Sequence, residues 1–350
     1  MPIGDQQPRL VGTWSFSLAA IEAAWGAWNR TVVSEDELLN ALVAACRHAD
    51  LDPAVDSVGY GGLPDASGRM SLDGAVMLSP ARFGGVCGLR RHLHPADVAR
   101  LVMERTEHRL LCGEDADDFA DRHGLPSRDL LEPSARAAWE SWTRGGSDAA
   151  SEGLRPVDPG LGSAAGGRLF RPEGDERREG PAPGGHDTIG VLGRDASGRL
   201  AAASSTSGLP FKVPGRVGDS PIAGHGLFVE PGVGQAMATG TGELISGISA
   251  SVIAVEVLRR GGSAQEAVLE TLGRVEAIGD LRPHHQVGVV VMAADGSIGT
   301  GGFRPGFLVA IRDESGARLV EPEIVLRPED EGLPESARDG FANAVRPPSE

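Results

Sequence analysis

Three polar segments in the second half of the chain contain side chains that could act on a carbonyl compound. They read HDTIG (186–190), FKVPGRVGDSPIAGHG (211–226) and QAMATGTGELISG (235–247). They concentrate hydroxyl groups, charges and glycines that an apolar core would not need. Such side chains could supply a nucleophile, a substrate clamp and an oxyanion site.

Thr188 is the candidate nucleophile. Threonine is a β-branched residue that is common in strands, so its position at the start of a strand does not by itself indicate a function. Its hydroxyl is a poor nucleophile unless a base lies beside it. The residue's own α-amino group is one such base, but it exists only after cleavage of the Asp187–Thr188 bond. Its usual pKa of about 7.7 to 8.0 suits proton transfer. The preceding segment 145–185, rich in glycine, proline and charge, predicts a flexible tether that could release this new N-terminus.

Arg216 and Asp219 are candidates for a substrate clamp. They carry opposite charges in a loop shaped by Pro214, Gly215 and Pro221. A guanidinium matches a carboxylate and an aspartate accepts from an ammonium, so the pair could hold the head group of an amino acid. The alternative is a surface ion pair worth less than about 1 kcal/mol.

The third segment combines an apolar strand, a Gly-x-Gly turn and the start of a helix near Glu243. Amides at a helix N-terminus favour negative charge, so the Thr239 hydroxyl and the Gly240 amide are candidate donors to an oxyanion. The turn also resembles half of a dinucleotide fingerprint. However, Ile245 occupies the third glycine position, and no ribose-binding acid follows about 20 residues later.

The elements that must position these segments mix strands with helix pairs. Helical spacing of apolar residues predicts a helix over 17–29, and capping boxes predict helix starts at Ser34 and Ser263. The other predicted helices are 94–106, 114–124 and 243–260. The predicted strands are 57–62, 69–78, 188–195, 199–206 and 306–313. A further hairpin is predicted over 285–302, and a frayed tail is predicted over 337–350. This order lacks the strict alternation of strands and helices that forms a doubly wound parallel sheet, and it favours antiparallel sheets covered by helices.

Composition excludes several classes of function. The 350 residues include 33 basic and 49 acidic side chains, a formal charge of -16, which disfavours partners such as nucleic acid and anionic membranes. No apolar run reaches the roughly 18 residues of a membrane span and no signal-peptide pattern is visible, so we expect a cytoplasmic protein.

The spacing of Cys46, Cys87 and Cys112 predicts buried free thiols. His92 and His94 lack a nearby acidic or cysteine partner, which favours an exposed loop over a metal site.

The motifs together resemble the glycosylasparaginase (aspartylglucosaminidase) branch of the N-terminal nucleophile hydrolases. The matching segments occur in the family's order and read TWSF, SVGYGG, SLDGAVM, HDTIG, STSG, PGRVGDSPI and ATGTGE. They extend from Trp14 to about Arg312. The resemblance implies an α+β fold in which residues 1–350 form one domain, a four-layer αββα sandwich of two antiparallel sheets flanked by helices.

The resemblance also implies autocatalytic cleavage of the Asp187–Thr188 bond. Thr188 would be the nucleophile and new N-terminus, and Thr206 would be the threonine that hydrogen-bonds and positions it. The products, an α subunit of residues 1–187 and a β subunit of residues 188–350, would remain together as an (αβ)2 assembly. Thr188 would attack the side-chain amide of an asparagine derivative and form a β-aspartyl ester, from which water releases aspartate without cofactor or metal.

The resemblance implies the substrate contacts by position. Arg216 and Asp219 match the pair that grips the α-carboxylate and α-amine of asparagine. Thr239 and Gly240 match the oxyanion site, and Trp14 matches a tryptophan near the substrate. The expected substrate is a small-molecule asparagine derivative, with glycosylated asparagine first. Isoaspartyl dipeptides and asparagine itself are the alternative within the same fold.

Three positions depart from the family's pattern. Leu63 replaces a serine found near the nucleophile in several members, Thr241 replaces a common asparagine or aspartate, and His225 replaces a small residue. Leu63 bears on leaving-group recognition and on cleavage efficiency. It also motivates a hypothesis from another class, an unprocessed protein that serves only as a binding or scaffold protein. None of the three departures removes the nucleophile, the clamp or the oxyanion donors.

Overall fold

Helices and strands alternate irregularly along the part of the chain that the computed structural model describes, residues 7–30, 34–145, 188–279, 281 and 285–327. The first half forms β1 (Arg9–Thr13), α1 (Ser17–Ala27), α2 (Glu35–Asp50), β2 (Leu72–Ser79), β3 (Arg82–Leu89), α3 (Pro95–Arg105), β4 (Leu110–Cys112), α4 (Gly113–Arg122) and α5 (Pro133–Gly145). The second half forms β5 (Ile189–Arg194), β6 (Leu200–Thr206), β7 (Leu227–Glu230), β8 (Gly234–Gly240), α6 (Gly242–Ile248), α7 (Ala250–Arg259), α8 (Ala264–Ala277), β9 (Val287–Ala293), β10 (Ile298–Gly302), β11 (Val309–Asp313), β12 (Gly316–Val320) and β13 (Ile324–Val325). The predicted tether beyond its first residue, Asp187 and the predicted tail lie outside the described residues.

The strands form two sheets. The larger has the order β12-β11-β1-β5-β6-β2-β3-β4, and the smaller has the order β13-β10-β9-β8-β7. Neighbouring strands are antiparallel except in the pairs β3-β4 and β10-β13. The fold is therefore a mixed α/β arrangement with two mostly antiparallel sheets and helices, compatible with the fold that the resemblance implies.

Apolar side chains of the described residues form three buried clusters. The first joins the larger sheet to α1, α2, α3 and α4, and the second joins the smaller sheet to α6, α7 and α8. The third contains side chains from both sheets, among them Met77, Leu192, Met237 and Val290. Burial of this apolar surface is the main favourable contribution to the free energy of folding.

The turn between β5 and β6 determines how the two strands meet. Asp195 Oδ1 accepts hydrogen bonds from the amides of Ser197 and Arg199, both at 2.9 Å. Gly198 has a φ of 85°, a conformation that favours glycine. This turn gives the hairpin a register in which Ile189 lies opposite Ser205. The two strands predicted over 188–195 and 199–206 therefore pair with each other.

Two predicted elements are wrong. The single helix predicted over 243–260 is interrupted at Ser249, which has a φ of 55° and separates α6 from α7. The strand predicted over 57–62 is replaced by a 3-10 turn at Gly59–Gly61. Gly59 packs so closely on the end of α2 that a Cβ would lie 2.0 Å from the backbone oxygen of Asp50. Both differences depend on glycine or left-handed backbone geometry that hydrophobic periodicity does not report.

Both predicted cap serines bond the first turn of their helix, and the reciprocal capping box is confirmed for α8 but not for α2. The Ser34 hydroxyl accepts from the Glu37 amide at the start of α2. At the start of α8, Ser263 and Glu266 form a reciprocal capping box. Each satisfies backbone donors that the first helical turn leaves without a partner.

The exposed loop predicted around His92 is wrong, because His92 is buried with Nδ1 2.8 Å from Asp117 Oδ1. The same carboxylate accepts from the amides of Arg90 and Arg91. Asp117, the acidic partner of His92, lies on α4, too far along the sequence for the residues around His92 to reveal it. No group of three or more potential metal ligands occurs among the described residues.

Of the three free cysteines, Cys46 and Cys87 are buried as predicted, whereas Cys112 is exposed. Cys112 ends the short strand β4, opposite Cys87. No helix within the described ranges is both long enough and apolar enough to cross a membrane.

Candidate active site

The β5-β6 hairpin brings two of the predicted site threonines together. Thr188 immediately precedes β5, and Thr206 ends β6. Both are buried, and both line one small pocket. The pocket's lining residues are Thr188, Thr206, Gly208, Leu209, Arg216, Gly218, Asp219, Ser220 and Gly240. Segments that are separate in sequence thus converge on the Thr188 hydroxyl.

Thr188 is held from three sides. Its Oγ1 lies 2.9 Å from Ser220 Oγ, and its backbone N–H donates to Thr239 Oγ1 at 3.4 Å. Its backbone oxygen accepts from the Thr13 hydroxyl at 2.7 Å, and that hydroxyl also accepts from the Gly190 amide. Contacts with β1, with β8 and with the loop after β6 therefore fix the start of β5.

Ser220 is a site residue that the sequence analysis missed. Among the described residues, its hydroxyl is the one within hydrogen-bonding distance of Thr188 Oγ1. The hydrogen bonds recorded for Thr206 Oγ1 instead go to the Gly208 amide and the Ser57 backbone oxygen, at 2.9 and 3.4 Å. Ser220 directly follows Asp219 in a motif already identified. However, a serine before a proline is also typical of turns.

Thr239 and Gly240 lie together at the end of β8, as an oxyanion site requires. Thr239 Oγ1 accepts from Trp14 Nε1 at 3.0 Å and from the Thr188 N–H. These two bonds occupy its acceptor positions and leave the hydroxyl proton to be donated. Gly240 has a φ of 115°, and a Cβ there would lie 2.3 Å from the backbone oxygen of Gln286. Glycine is therefore required at this position.

Trp14 has an unusual backbone conformation for its residue type. Its φ is 66°, in the left-handed region that side chains with a Cβ rarely adopt. Its amide donates to the Leu308 backbone oxygen at 2.7 Å, and its ring packs edge-on against Phe307 with centroids 5.0 Å apart. These contacts hold the conformation that directs the indole N–H to Thr239.

Arg216 forms a bidentate ion pair with Glu243 at the start of α6, through Nε and one terminal nitrogen, each at 2.9 Å. This differs from the simple surface pair with Asp219 that the sequence left open. Three glycines surround the guanidinium. A Cβ at Gly208, Gly218 or Gly242 would approach its nitrogens to 3.3, 2.9 and 2.9 Å. The absence of side chains at these positions makes room for the guanidinium beside the pocket.

Asp219 is buried, and its Oδ2 has no hydrogen-bond partner among the described residues. Burial raises the pKa of this carboxyl to about 7, although the positive charge of Arg216 acts in the opposite direction. A buried carboxylate with an unpaired oxygen is costly unless a donor reaches it. An ammonium group in the pocket would be such a donor.

Of two departures from the family's pattern, Thr241 directly follows the pocket residue Gly240, whereas His225 lies in the loop before β7. The Thr241 amide donates to the Gln286 backbone oxygen at 2.7 Å, and its hydroxyl accepts from the Gln286 amide at 3.2 Å. Thr241 thus links the end of β8 to the start of β9. The backbone oxygen of His225 accepts from the Ser251 hydroxyl, and partial burial lowers the pKa of its imidazole.

Leu63, the third departure, is half-buried in a segment that packs on the pocket loop. The next residue, Pro64, accepts at its backbone oxygen from the Phe211 amide at 2.9 Å, and the Ala66 amide donates to the Lys212 backbone oxygen at 2.9 Å. A side-chain change at residue 63 can therefore affect the loop that leads to Arg216.

Comparisons with known proteins agree with the motifs. The family described as Asparaginase matches residues 14–320. N(4)-(Beta-N-acetylglucosaminyl)-L-asparaginase of Elizabethkingia miricola is 32% identical over 330 residues, 93% of this chain and 87% of that protein. The protein of the same name from Rattus norvegicus is 36% identical over 273 residues, 77% of each chain. A putative protein of this name from Drosophila melanogaster is 35% identical over 286 residues, 78% of this chain and 71% of that protein. These matches confirm the resemblance, and the chain belongs to the asparaginase family of amidohydrolases.

Proposed function

We propose that this amidohydrolase cleaves the side-chain amide of N4-substituted asparagine, such as N4-(beta-N-acetylglucosaminyl)-L-asparagine, and releases L-aspartate. The proposal is carried by one observation: one pocket is lined by the residue with the candidate nucleophilic hydroxyl, by both residues of the candidate clamp and by the glycine that ends β8. These residues are Thr188, Arg216, Asp219 and Gly240. These are the groups needed to attack a carbonyl and to hold an amino acid head group. The names of the relatives support the choice of substrate.

The proposed catalyst forms when the precursor cleaves its own Asp187–Thr188 bond, giving subunits of residues 1–187 and 188–350. The freed α-amine accepts the proton of the Thr188 hydroxyl, and Oγ1 attacks the side-chain carbonyl carbon. The Thr239 hydroxyl and the Gly240 amide stabilise the negative oxygen that develops. The protonated α-amine then gives its proton to the leaving amine, and water hydrolyses the β-aspartyl ester by the reverse sequence of proton transfers.

Arg216 and Asp219 act as the proposed clamp. Glu243 engages Nε and one terminal nitrogen of Arg216, while the other terminal nitrogen lies near the empty Cβ positions of Gly208 and Gly218, two pocket residues. The substrate α-carboxylate can therefore approach on the glycine side while Glu243 stays in place. The α-ammonium group donates to the unpaired oxygen of Asp219.

Larger-scale features of the proposal follow the resemblance. The three apolar clusters support a single four-layer αββα domain. The proposed enzyme acts in the cytoplasm as an (αβ)2 assembly, on small-molecule substrates and without a cofactor. Gel filtration of the cleaved protein with mass detection tests this assembly.

Leu63, the departure that bears on leaving-group recognition, motivates a second candidate function in the same fold, an isoaspartyl peptidase or L-asparaginase. The segment that contains Leu63 packs on the pocket loop through Pro64 and Ala66. The deciding measurement compares kcat/KM for N-acetylglucosaminyl-asparagine, β-aspartyl dipeptides and asparagine. The first is expected to be hydrolysed fastest, and a clear preference for a dipeptide would transfer the assignment.

Sequencing of the purified protein's fragments tests self-cleavage. We expect a smaller fragment that begins Thr-Ile-Gly-Val, as residues 188–191 read. One uncut 350-residue species that persists on incubation would favour an unprocessed binding or scaffold protein and contradict the enzyme mechanism above.

Ser220→Ala is expected to lower kcat about tenfold and to leave KM nearly unchanged. The variant removes the side-chain hydroxyl that lies within hydrogen-bonding distance of Thr188 Oγ1, and a hydrogen bond of this kind contributes about 1 kcal/mol. It keeps the Ser220 backbone oxygen that accepts from Ser204. Steady-state kinetics on the cleaved enzyme measure the effect, with Ser79→Ala outside the pocket as the control. An unchanged kcat would show that Ser220 does not orient the nucleophile.

A further inference from the structure

Lys212 is the only lysine in a chain with 33 basic residues, and it is buried. Every other one of these basic residues is an arginine. A lysine carries a compact point charge, whereas an arginine carries a planar fork that needs more room. A lysine at this buried position places a compact positive charge where a guanidinium would need more room.

The ammonium lies within a closed polar arrangement. Lys212 Nζ donates to the Ser71 backbone oxygen at 3.3 Å and lies 3.8 Å from Asp73 Oδ2. Asp73 is fully buried, and its other oxygen accepts from the Gly88 amide at 2.8 Å. Burial lowers the pKa of Lys212 and raises that of Asp73, while each charge opposes the shift of the other. The two residues are thus each other's countercharge.

Lys212 is also a neighbour of the proposed carboxylate clamp. A Cβ at Gly208 would lie 2.8 Å from Lys212 Nζ and 3.3 Å from Nη1 of Arg216. Both cations therefore approach Gly208, a pocket residue. The Lys212 backbone is fixed as well, because its oxygen accepts from the Ala66 amide and its N–H donates to the Leu209 oxygen.

We propose that Lys212, held by Asp73, is a positioning residue for recognition of the substrate α-carboxylate. Its charge repels the guanidinium of Arg216 on one side while Glu243 attracts it on the other, which fixes the nitrogen that faces the pocket. Its charge also adds positive potential at the end of the pocket where the carboxylate binds. The inference rests on the function proposed above, in which Arg216 binds that carboxylate.

Lys212→Met is expected to raise KM for an asparagine derivative about tenfold, with kcat changed less than about threefold. Inhibition by two small molecules separates the carboxylate effect from general damage. The inhibition constant of L-aspartate is expected to rise with KM. That of β-alanine, which lacks the α-carboxylate, is expected to stay constant. Arg260→Met, which removes an equal charge from an exposed residue, is the control.

A double variant separates a charge effect from a purely structural one. Lys212→Met with Asp73→Asn removes both buried charges and should fold without an uncompensated carboxylate. If Lys212 serves only to neutralise Asp73, the double variant regains the wild-type KM, and the proposal is wrong. If Lys212 acts on the carboxylate site, KM stays raised in the double variant.

A measurement on the unmodified protein covers the case in which these variants fail to fold or to cleave. Protein labelled with [15N]lysine gives a single Nζ resonance, because Lys212 is the only lysine. We expect this resonance to shift on addition of L-aspartate and not on addition of β-alanine. Wild-type enzyme that hydrolyses asparagine derivatives and is inhibited by L-aspartate, yet shows no such shift, would overturn the role of Lys212 alone. Wild-type enzyme that neither hydrolyses nor binds them would overturn the proposed function itself.

Discussion

Thr188→Ala is expected to leave the 350-residue chain uncut and to lower kcat on an asparagine derivative by at least about 10⁴-fold. The change removes the hydroxyl that would attack both the preceding peptide bond and the substrate carbonyl. Thr188 is buried at the start of β5, so water has little opportunity to replace it in the same geometry. Intact mass spectrometry and steady-state kinetics measure the two effects on one preparation.

Two further variants make the Thr188 prediction specific. Thr188→Ser keeps the hydroxyl and is expected to retain cleavage and turnover, at reduced rates. Thr143→Ala removes an exposed hydroxyl that bonds within α5 and should behave as wild type. Turnover by Thr188→Ala at more than about a hundredth of the wild-type rate would mean that another group is the nucleophile.

Local sequence rules predicted the elements that depend on a few neighbouring residues. The strands beginning at 188 and 199 and the capped starts of α2 and α8 are of this kind, because turn and cap hydrogen bonds lie within a few residues. The break at Ser249 and the turn at Gly59–Gly61 were not predictable in this way. They depend on left-handed backbone geometry, and the turn also depends on the packing of Gly59 against Asp50.

The same distinction applies to the candidate site. The motifs identified Thr188, Arg216, Asp219 and Gly240, and these residues do line one pocket. The contacts between segments were not visible in the sequence. The closeness of Ser220 to Thr188, the pairing of Arg216 with Glu243 and the burial of Lys212 against Asp73 all join residues brought together only by the fold. Roles that rest on such contacts could only be proposed from the structure.

Asp219→Asn is expected to lower kcat/KM by about a hundredfold or more, mainly through KM. The variant keeps the shape of the side chain but removes the charge that would accept from the substrate ammonium. The raised pKa of about 7 for Asp219 also predicts a pH dependence. As pH falls below about 7, protonation of the free enzyme's Asp219 should reduce kcat/KM of the wild type. The part of this decline that comes from Asp219 should be absent from the variant's pH profile.

Asp219→Asn should also change stability, in a direction that its pKa determines. The carboxyl has a pKa of about 7 in the folded protein, above its ordinary value of 3.8, so the empty folded state binds the proton more tightly than the unfolded chain does. The favourable contribution of the protonated carboxyl is complete below the ordinary pKa and is lost as pH rises through about 7. The asparagine variant carries no charge at any pH. It should therefore unfold at a higher temperature than the wild type at pH 8, and the difference should shrink toward pH 4.

Thermal unfolding of both proteins without substrate, at a series of pH values, measures this difference. Addition of L-aspartate at pH 8 should stabilise the wild type far more than the variant, because the ligand's ammonium group compensates the buried charge. A wild type that is the more stable of the two at pH 8 without ligand would mean that Asp219 already has a partner in the empty site. With the expected result, the carboxylate that binds the ammonium is also a source of instability in the empty pocket, since its charge is buried there before the ligand arrives.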